Sequence, residues 1–286
     1  MLKDYIALTK PRLTRLNLFA TFGGFMVASK WSVDWLLLLY VLIGSALTVS
    51  CSCVINNYYD RELDRLMGRT KDRPLPAGRM NPNTVLIYGI VLGVSGLAVL
   101  FLLVSPLVGW LCLLGMFVYL VIYTMWLKRS STWSTSIGGI SGAMPPVLGY
   151  CAVIGEIDAG AWLLFAIMFL WQPAHFWSLG IRRVEEYRKA GFPLLPVIKG
   201  VHRTKLQMIP YIVLLIPSSI ALFTYGHVGY YYLVIAVVGA AIWLWHTITG
   251  IKAADTDKWA KTNFIISINY LMITFFVMVL NTTGTA

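Results

Sequence analysis

Asn56, Asp60 and Asp64 stand four residues apart in a chain of 286, and their types and spacing suit a hard cation. On an α-helix each lies one turn and about 40° further round than the last, so three oxygen donors share one side. Mg²⁺ fits such donors, because it is usually held by one or two carboxylates while waters and substrate phosphates complete its shell. The segment that follows supplies anion receptors, Arg69, Lys71, Arg73 and Arg79, set among Gly68, Pro74, Pro76 and Gly78. Those glycines and prolines forbid one long helix, so the bases are expected in a loop folded beside the acidic stripe. A diphosphate would engage both halves, its oxygens bridging the metal while guanidinium forks and an ammonium take up the remaining charge. A plainer reading stays open on spacing alone: Asp60 and Asp64 pair with Arg61, Arg65 and the loop bases at a solvated helix end, and each base serves only to fix topology.

The element that positions Asn56 is an apolar run long enough to cross a bilayer. Hydrophobic residues make up 58% of the chain and charged ones 12%, against roughly 25% charged in soluble domains. Each crossing needs about 20 mainly apolar residues. Such runs lie near 13–29, 35–57, 84–104, 107–127, 136–154, 160–180, 207–225, 229–250 and 263–281, with Ser105-Pro106 separating the third from the fourth. The expected fold is therefore an all-α integral membrane protein, about nine transmembrane helices in one bundle, read as a single domain over 1–286. A closed barrel would show short alternating segments instead. With that topology 22 of the 23 lysines and arginines fall on one side, Lys30 being the exception, which places the N-terminus and the basic loops in the cytoplasm. Bases divided among membrane loops do not form the continuous patch of a nucleic-acid binder. No cleavable leader is expected, and Cys51, Cys53, Cys112 and Cys151 lie within spans without metal or redox spacing.

A second polar group lies around the end of the sixth run. Read as one helix from Gln172 to Glu186, the chain places Gln172, His175, Leu179, Arg182 and Glu186 within about 80° of one another, with Glu185 pointing away. Pro173 threatens the register near Gln172. His175 lies inside a span, where a polar side chain faces the bundle or a cavity. His202, His227 and His246 occupy less informative places, and His175 alone is equally readable as a packed, hydrogen-bonded residue. Lys10-Pro11-Arg12 precedes the first span and reads either as a positive-inside anchor or as part of an anion pocket. Pro145-Pro146 with Gly138, Gly139, Gly142 and Gly149 suggests a kinked, closely packed fifth helix.

The stretch from Asn56 through Arg69-Thr70-Lys71-Asp72-Arg73-Pro74-Leu75-Pro76 resembles the first aspartate motif of the UbiA superfamily of intramembrane prenyltransferases. Within it the chain is most similar to the protohaem IX farnesyltransferases, or haem O synthases, through "TKPRLTRLNLF" from Thr9, "GGISGAMPPVLGY" from Gly138 and "WQPAHFWSLGIRRVEEYRKAGFPLLPV" from Trp171. The resemblance implies transfer of farnesyl from farnesyl diphosphate to a vinyl group of haem B, with hydration, in a prokaryotic inner membrane. It implies Mg²⁺ at Asn56, Asp60, Asp64 and Glu186, diphosphate at Lys10, Arg12, Arg69, Lys71, Arg73 and Arg182, and haem at His175 and Gln172. Asp60, Asp64, His175 and Glu186 are then the catalytic candidates. Where the superfamily carries a second Asp-x-x-x-Asp motif, this chain has Arg182, Arg183, Glu185 and Glu186. Two alternatives share the spans: a prenyltransferase acting on a quinone precursor, and a lipid or anion transporter with the acids as a coupling-ion site.

Overall fold

The computed structural model describes residues 2–283. The chain opens with a short helix α1 (Leu2–Leu8) and enters the bundle with α2 (Pro11–Ser29), whose proline at the first turn presets the helical φ. The helix α3 (Trp35–Asp64) is capped by Asp34 and runs unbroken for 30 residues, so the Asn56 to Asp64 stripe is the end of a membrane helix. After a loop of tight turns come α4 (Pro82–Val99) and α5 (Pro106–Phe117), each with proline in its first turn. Between them the chain widens into a π-helical segment, Leu100–Val104, and breaks at Ser105, as the Ser105-Pro106 pair requires. A second π-helical segment, Val118–Leu127, continues α5 into the short turn α6 (Lys128–Ser130).

The expected kink in the fifth crossing is present. It consists of α7 (Ser134–Gly142) and α8 (Met144–Ile154), joined at Ala143 just before Pro145-Pro146. The next helix, α9 (Ala159–Arg182), carries Pro173 without interruption, and two short helices follow, α10 (Val184–Lys189) and α11 (Leu195–Ile198). Three long helices complete the bundle: α12 (Gly200–Thr224), α13 (Tyr230–Thr249) and α14 (Thr256–Leu280). No strand occurs among the described residues; one isolated bridge joins Val228 to Thr282.

Eight of the described helical stretches are long and apolar enough to cross a bilayer, which makes this a multi-pass membrane protein. The crossing expected over 13–29 falls on α2, whose first turns hold Arg12, Arg15 and Asn17 and are too polar to join those eight by composition. Within the bundle α3 packs along α4, α2 along α8, and α9 against both α12 and α14. One apolar cluster of buried side chains runs from Ala20 to Met278. Two helix starts correct the sequence reading. The helix expected from 207 begins at Gly200, so Lys205 is no loop base: it is buried, donates to the Gly250 carbonyl at 2.8 Å and lies 4.4 Å from the Trp259 ring. Likewise α14 begins at Thr256 instead of near 263 and carries Lys258 and Lys261 in its first turns.

Candidate active site

Asn56, Asp60 and Asp64 are all buried, and each is met by a base. Asn56 Nδ2 donates to Asp60 Oδ2 at 2.9 Å and to Thr124 Oγ1 at 3.3 Å, while its Oδ1 accepts from Lys10 Nζ at 2.7 Å. Asp60, only 1% exposed, takes Lys128 Nζ on Oδ2 and Arg129 Nη2 on Oδ1 at 3.3 Å. Asp64 Oδ2 accepts from Arg73 Nη1 at 2.6 Å, and its carbonyl accepts from Thr70 Oγ1 at 3.0 Å. Taking a carboxylate out of water costs several kcal/mol, so two of them one helical turn apart persist only with such compensation. Asp60 and Asp64 therefore do not pair with Arg61 and Arg65, which instead meet Glu62.

Each base reaches the stripe by a distinct route. Lys10 sits between α1 and α2 with a left-handed backbone, φ 48°, a conformation that costs a non-glycine residue about 1 kcal/mol or more. Burial pulls its ammonium down to about 8. Arg73 comes from the Gly- and Pro-rich loop, whose turns fold back on the end of α3 as the sequence requires. Lys128 and Arg129 come from α6, at the end of the wide π-helical segment that also supplies Thr124. Lys128 Nζ also lies 5.1 Å from the Phe192 ring centre and 5.8 Å from that of Tyr123, so its charge is held between a carboxylate and two aromatic faces. Arg79 turns outward to Asp4 at 3.0 Å, tying the loop to α1. Arg12, Arg69 and Lys71 are exposed.

Two carboxylates and an amide oxygen form a hard donor set that fits Mg²⁺ if phosphate oxygens and water complete the shell. Among the described residues no three His, Cys, Asp or Glu side chains converge as a metal site by themselves.

A model of the UbiA prenyltransferase family matches residues 17–269. The chain belongs to this family. It is 44% identical to protohaem IX farnesyltransferase 1 of Bacillus subtilis (strain 168), over 97% of this chain and 90% of that one. It is 42% identical to the protohaem IX farnesyltransferase of Yersinia enterocolitica, over 94% and 90%. Solved structures with the same fold include a digeranylgeranylglyceryl phosphate synthase at 18% identity and TM-score 0.83, covering 98% of each chain. A UbiA homologue from Archaeoglobus fulgidus bound to DMAPP and Mg²⁺ matches at 16% identity and TM-score 0.69, covering 96% of this chain and 99% of that one.

In this UbiA-family bundle the second polar group is arranged differently from the sequence reading. The helix from Gln172 does not continue to Glu186: it stops at Arg182, and Arg183 (φ −121°, ψ 23°) turns the chain into α10. The shared helical face that favoured Glu186 over Glu185 therefore does not exist beyond Arg182. Glu186 pairs with Arg183 at 3.3 Å, Glu185 pairs with Arg188, and Arg182 reaches Asp257 at 3.5 Å. The segment still returns to the first motif, because Ala190 and Phe192 pack on Met67 and Leu63. Gln172 is buried and donates to the carbonyls of Gly139 at 3.0 Å and Met168 at 3.2 Å. His175 is buried between α9 and α14, with Nδ1 2.8 Å from Ser267 Oγ. Sequence reading missed Thr124, Lys128 and Arg129 as site residues. For Lys128 and Arg129 the signal was a pair of bases closing the fourth crossing; Thr124 gave none.

Proposed function

We propose that this chain transfers the farnesyl group of farnesyl diphosphate to a vinyl group of haem B, with hydration, to give haem O. One observation carries the reading: Lys10, Arg73, Lys128 and Arg129 converge on Asn56, Asp60 and Asp64 at the basic end of a membrane bundle. The acceptor follows from relatives at 42–44% identity that are named for farnesyl transfer to protohaem IX.

Ionisation breaks the C1–O bond of the prenyl chain and leaves the electron pair on the diphosphate. Donors aimed at that leaving group stabilise the transition state more than the ground state. Lys128 and Arg73 can exchange their carboxylate partners for phosphate oxygens, with Lys10 and Arg129 beside them. Arg12, Arg69, Lys71 and Arg182 line the approach. Mg²⁺ held by Asn56, Asp60 and Asp64 would supply additional positive charge to the departing diphosphate. The terminal carbon of the haem vinyl group then bonds to C1, and water adds to the adjacent carbon, releasing a proton. Gln172 and His175 bound the porphyrin. The basic end faces the cytoplasm of a prokaryotic inner membrane, with the isoprenoid tail in the bundle or the lipid.

Purified protein in lipid nanodiscs, given farnesyl diphosphate, Mg²⁺ and haem B, is expected to form haem O by mass spectrometry. Prenylation of a hydroxybenzoate offered in competition, with haem unchanged, would overturn the acceptor. Accumulation of either substrate in vesicles without covalent change would overturn the reaction class.

A further inference from the structure

The imidazole of His175 is held on three sides. Its ring stacks on Trp171 at 4.2 Å and 22° and on Phe264 at 4.6 Å and 24°, which fixes the plane. Its Nδ1 lies 2.8 Å from Ser267 Oγ, which fixes the rotation within that plane. The same turn of α14 secures the stack, since Trp171 Nε1 donates to the Ser267 carbonyl at 2.7 Å.

The proton count at Ser267 selects the tautomer. A hydroxyl has one proton and can accept twice. Ser267 Oγ spends its proton on the Phe264 carbonyl at 2.7 Å, so toward His175 it accepts, and Nδ1 carries the hydrogen. Nε2 is left with a lone pair. It makes no hydrogen bond among the described residues and, unlike His246 Nε2, is not among the sealed, unpartnered polar atoms. A neutral imidazole with Nδ1–H bonded to an oxygen and Nε2 free is the form that ligates a metal, and the outer hydrogen bond sets both its direction and its basicity.

We infer that His175 binds the iron of the substrate haem through Nε2 and that Ser267 is the residue that positions it for this. The inference rests on the haem reading above and adds to it the way the porphyrin is anchored. A ring stacked on two aromatic neighbours, with Nδ1 committed to Ser267, is held in one orientation, as a fixed ligand must be.

Full-length protein in nanodiscs, without farnesyl diphosphate, is titrated with ferric haem B while the Soret band and EPR spectrum are recorded. A nitrogen-ligand signature is expected in the parent, lost in His175→Ala and restored there by added imidazole. Ser267→Ala is expected to weaken haem binding about 10- to 100-fold, the usual effect of removing the outer partner of a ligating histidine. Ser267→Thr, which keeps the hydroxyl, restores it. Retained farnesyl diphosphate binding shows that each variant is folded. Unchanged affinity and spectrum in folded Ser267→Ala, or a signature that survives His175→Ala, overturns the inference. Should Ser267→Ala fail to accumulate, resonance Raman of the parent with ferrous haem decides: the iron–ligand stretch must shift on ¹⁵N-histidine labelling, and absence of a shift overturns the inference. Haem O formation without a His175-dependent signature removes the anchor and leaves the reaction standing. A signature without haem O does the opposite.

Discussion

Lys128 is the residue on which the charge balance of the site turns. Its ammonium meets Asp60, the most deeply buried carboxylate among the described residues, with Arg129 as a second cation there. Removing it leaves Asp60 short of compensation and, in the proposed reaction, deprives the departing diphosphate of a donor. Lys128→Ala is expected to lower kcat/KM for farnesyl diphosphate about 10²- to 10³-fold, as loss of one preorganised donor does elsewhere, measured by product formation in nanodiscs. Lys128→Arg should retain part of the activity, and an unchanged rate in Lys128→Ala would remove this residue from the site. The stripe itself was legible because Asn56, Asp60 and Asp64 belong to one helix and helical period fixes which residues share a face. Thr124 and Lys128 were not, since each meets its partner across 68 residues of sequence and no local pattern encodes that pairing. The His175 to Ser267 contact, 92 residues apart, was hidden for the same reason.

At the scale of elements, α2 and α8 approach until their backbones touch. A Cβ on Gly149 would run into the backbone of Thr21, and one on Gly24 into that of Pro146. Neither neighbour can swing aside as a side chain could. Gly149→Ala is therefore expected to destabilise the solubilised protein by about 3 kcal/mol or more, the upper end for an overpacked site, read as a lower unfolding temperature. Gly68→Ala, where nothing lies within 4 Å, is the neutral control. Equal melting of the two variants would contradict this packing. The kink at Ala143 and the break at Ser105 were readable, because proline removes a donor and clashes with the preceding turn. The break at Arg183 was not, since no proline stands there and Gly180 lies within α9 three residues before the break. The π-helical run through Val118–Leu127 was equally unannounced: its apolar residues would read as ordinary α-helix, yet it is this segment that delivers Thr124 and Lys128.

For the whole molecule, composition settled the class and the spacing of apolar runs settled most of the crossings. The surface agrees: Trp31, Trp35 and Trp162 are exposed at one end of the bundle and Trp126 and Trp133 at the other, where amphipathic rings suit the two membrane interfaces. With the basic end inward, Ser32→Cys should react with a membrane-impermeant maleimide on intact cells, and Asp72→Cys only after lysis; both positions are exposed, and the native cysteines are buried. The opposite pattern would invert the topology. The central claim is that Asp60 and Asp64, with the bases around them, drive farnesyl transfer to haem. Its most direct test is mass spectrometry of haem extracted from cells expressing the parent or Asp60→Asn. A hydroxyethylfarnesyl haem in the parent and none in the variant is the expected result. An unmodified haem pool in the parent, or equal product from both, would contradict it.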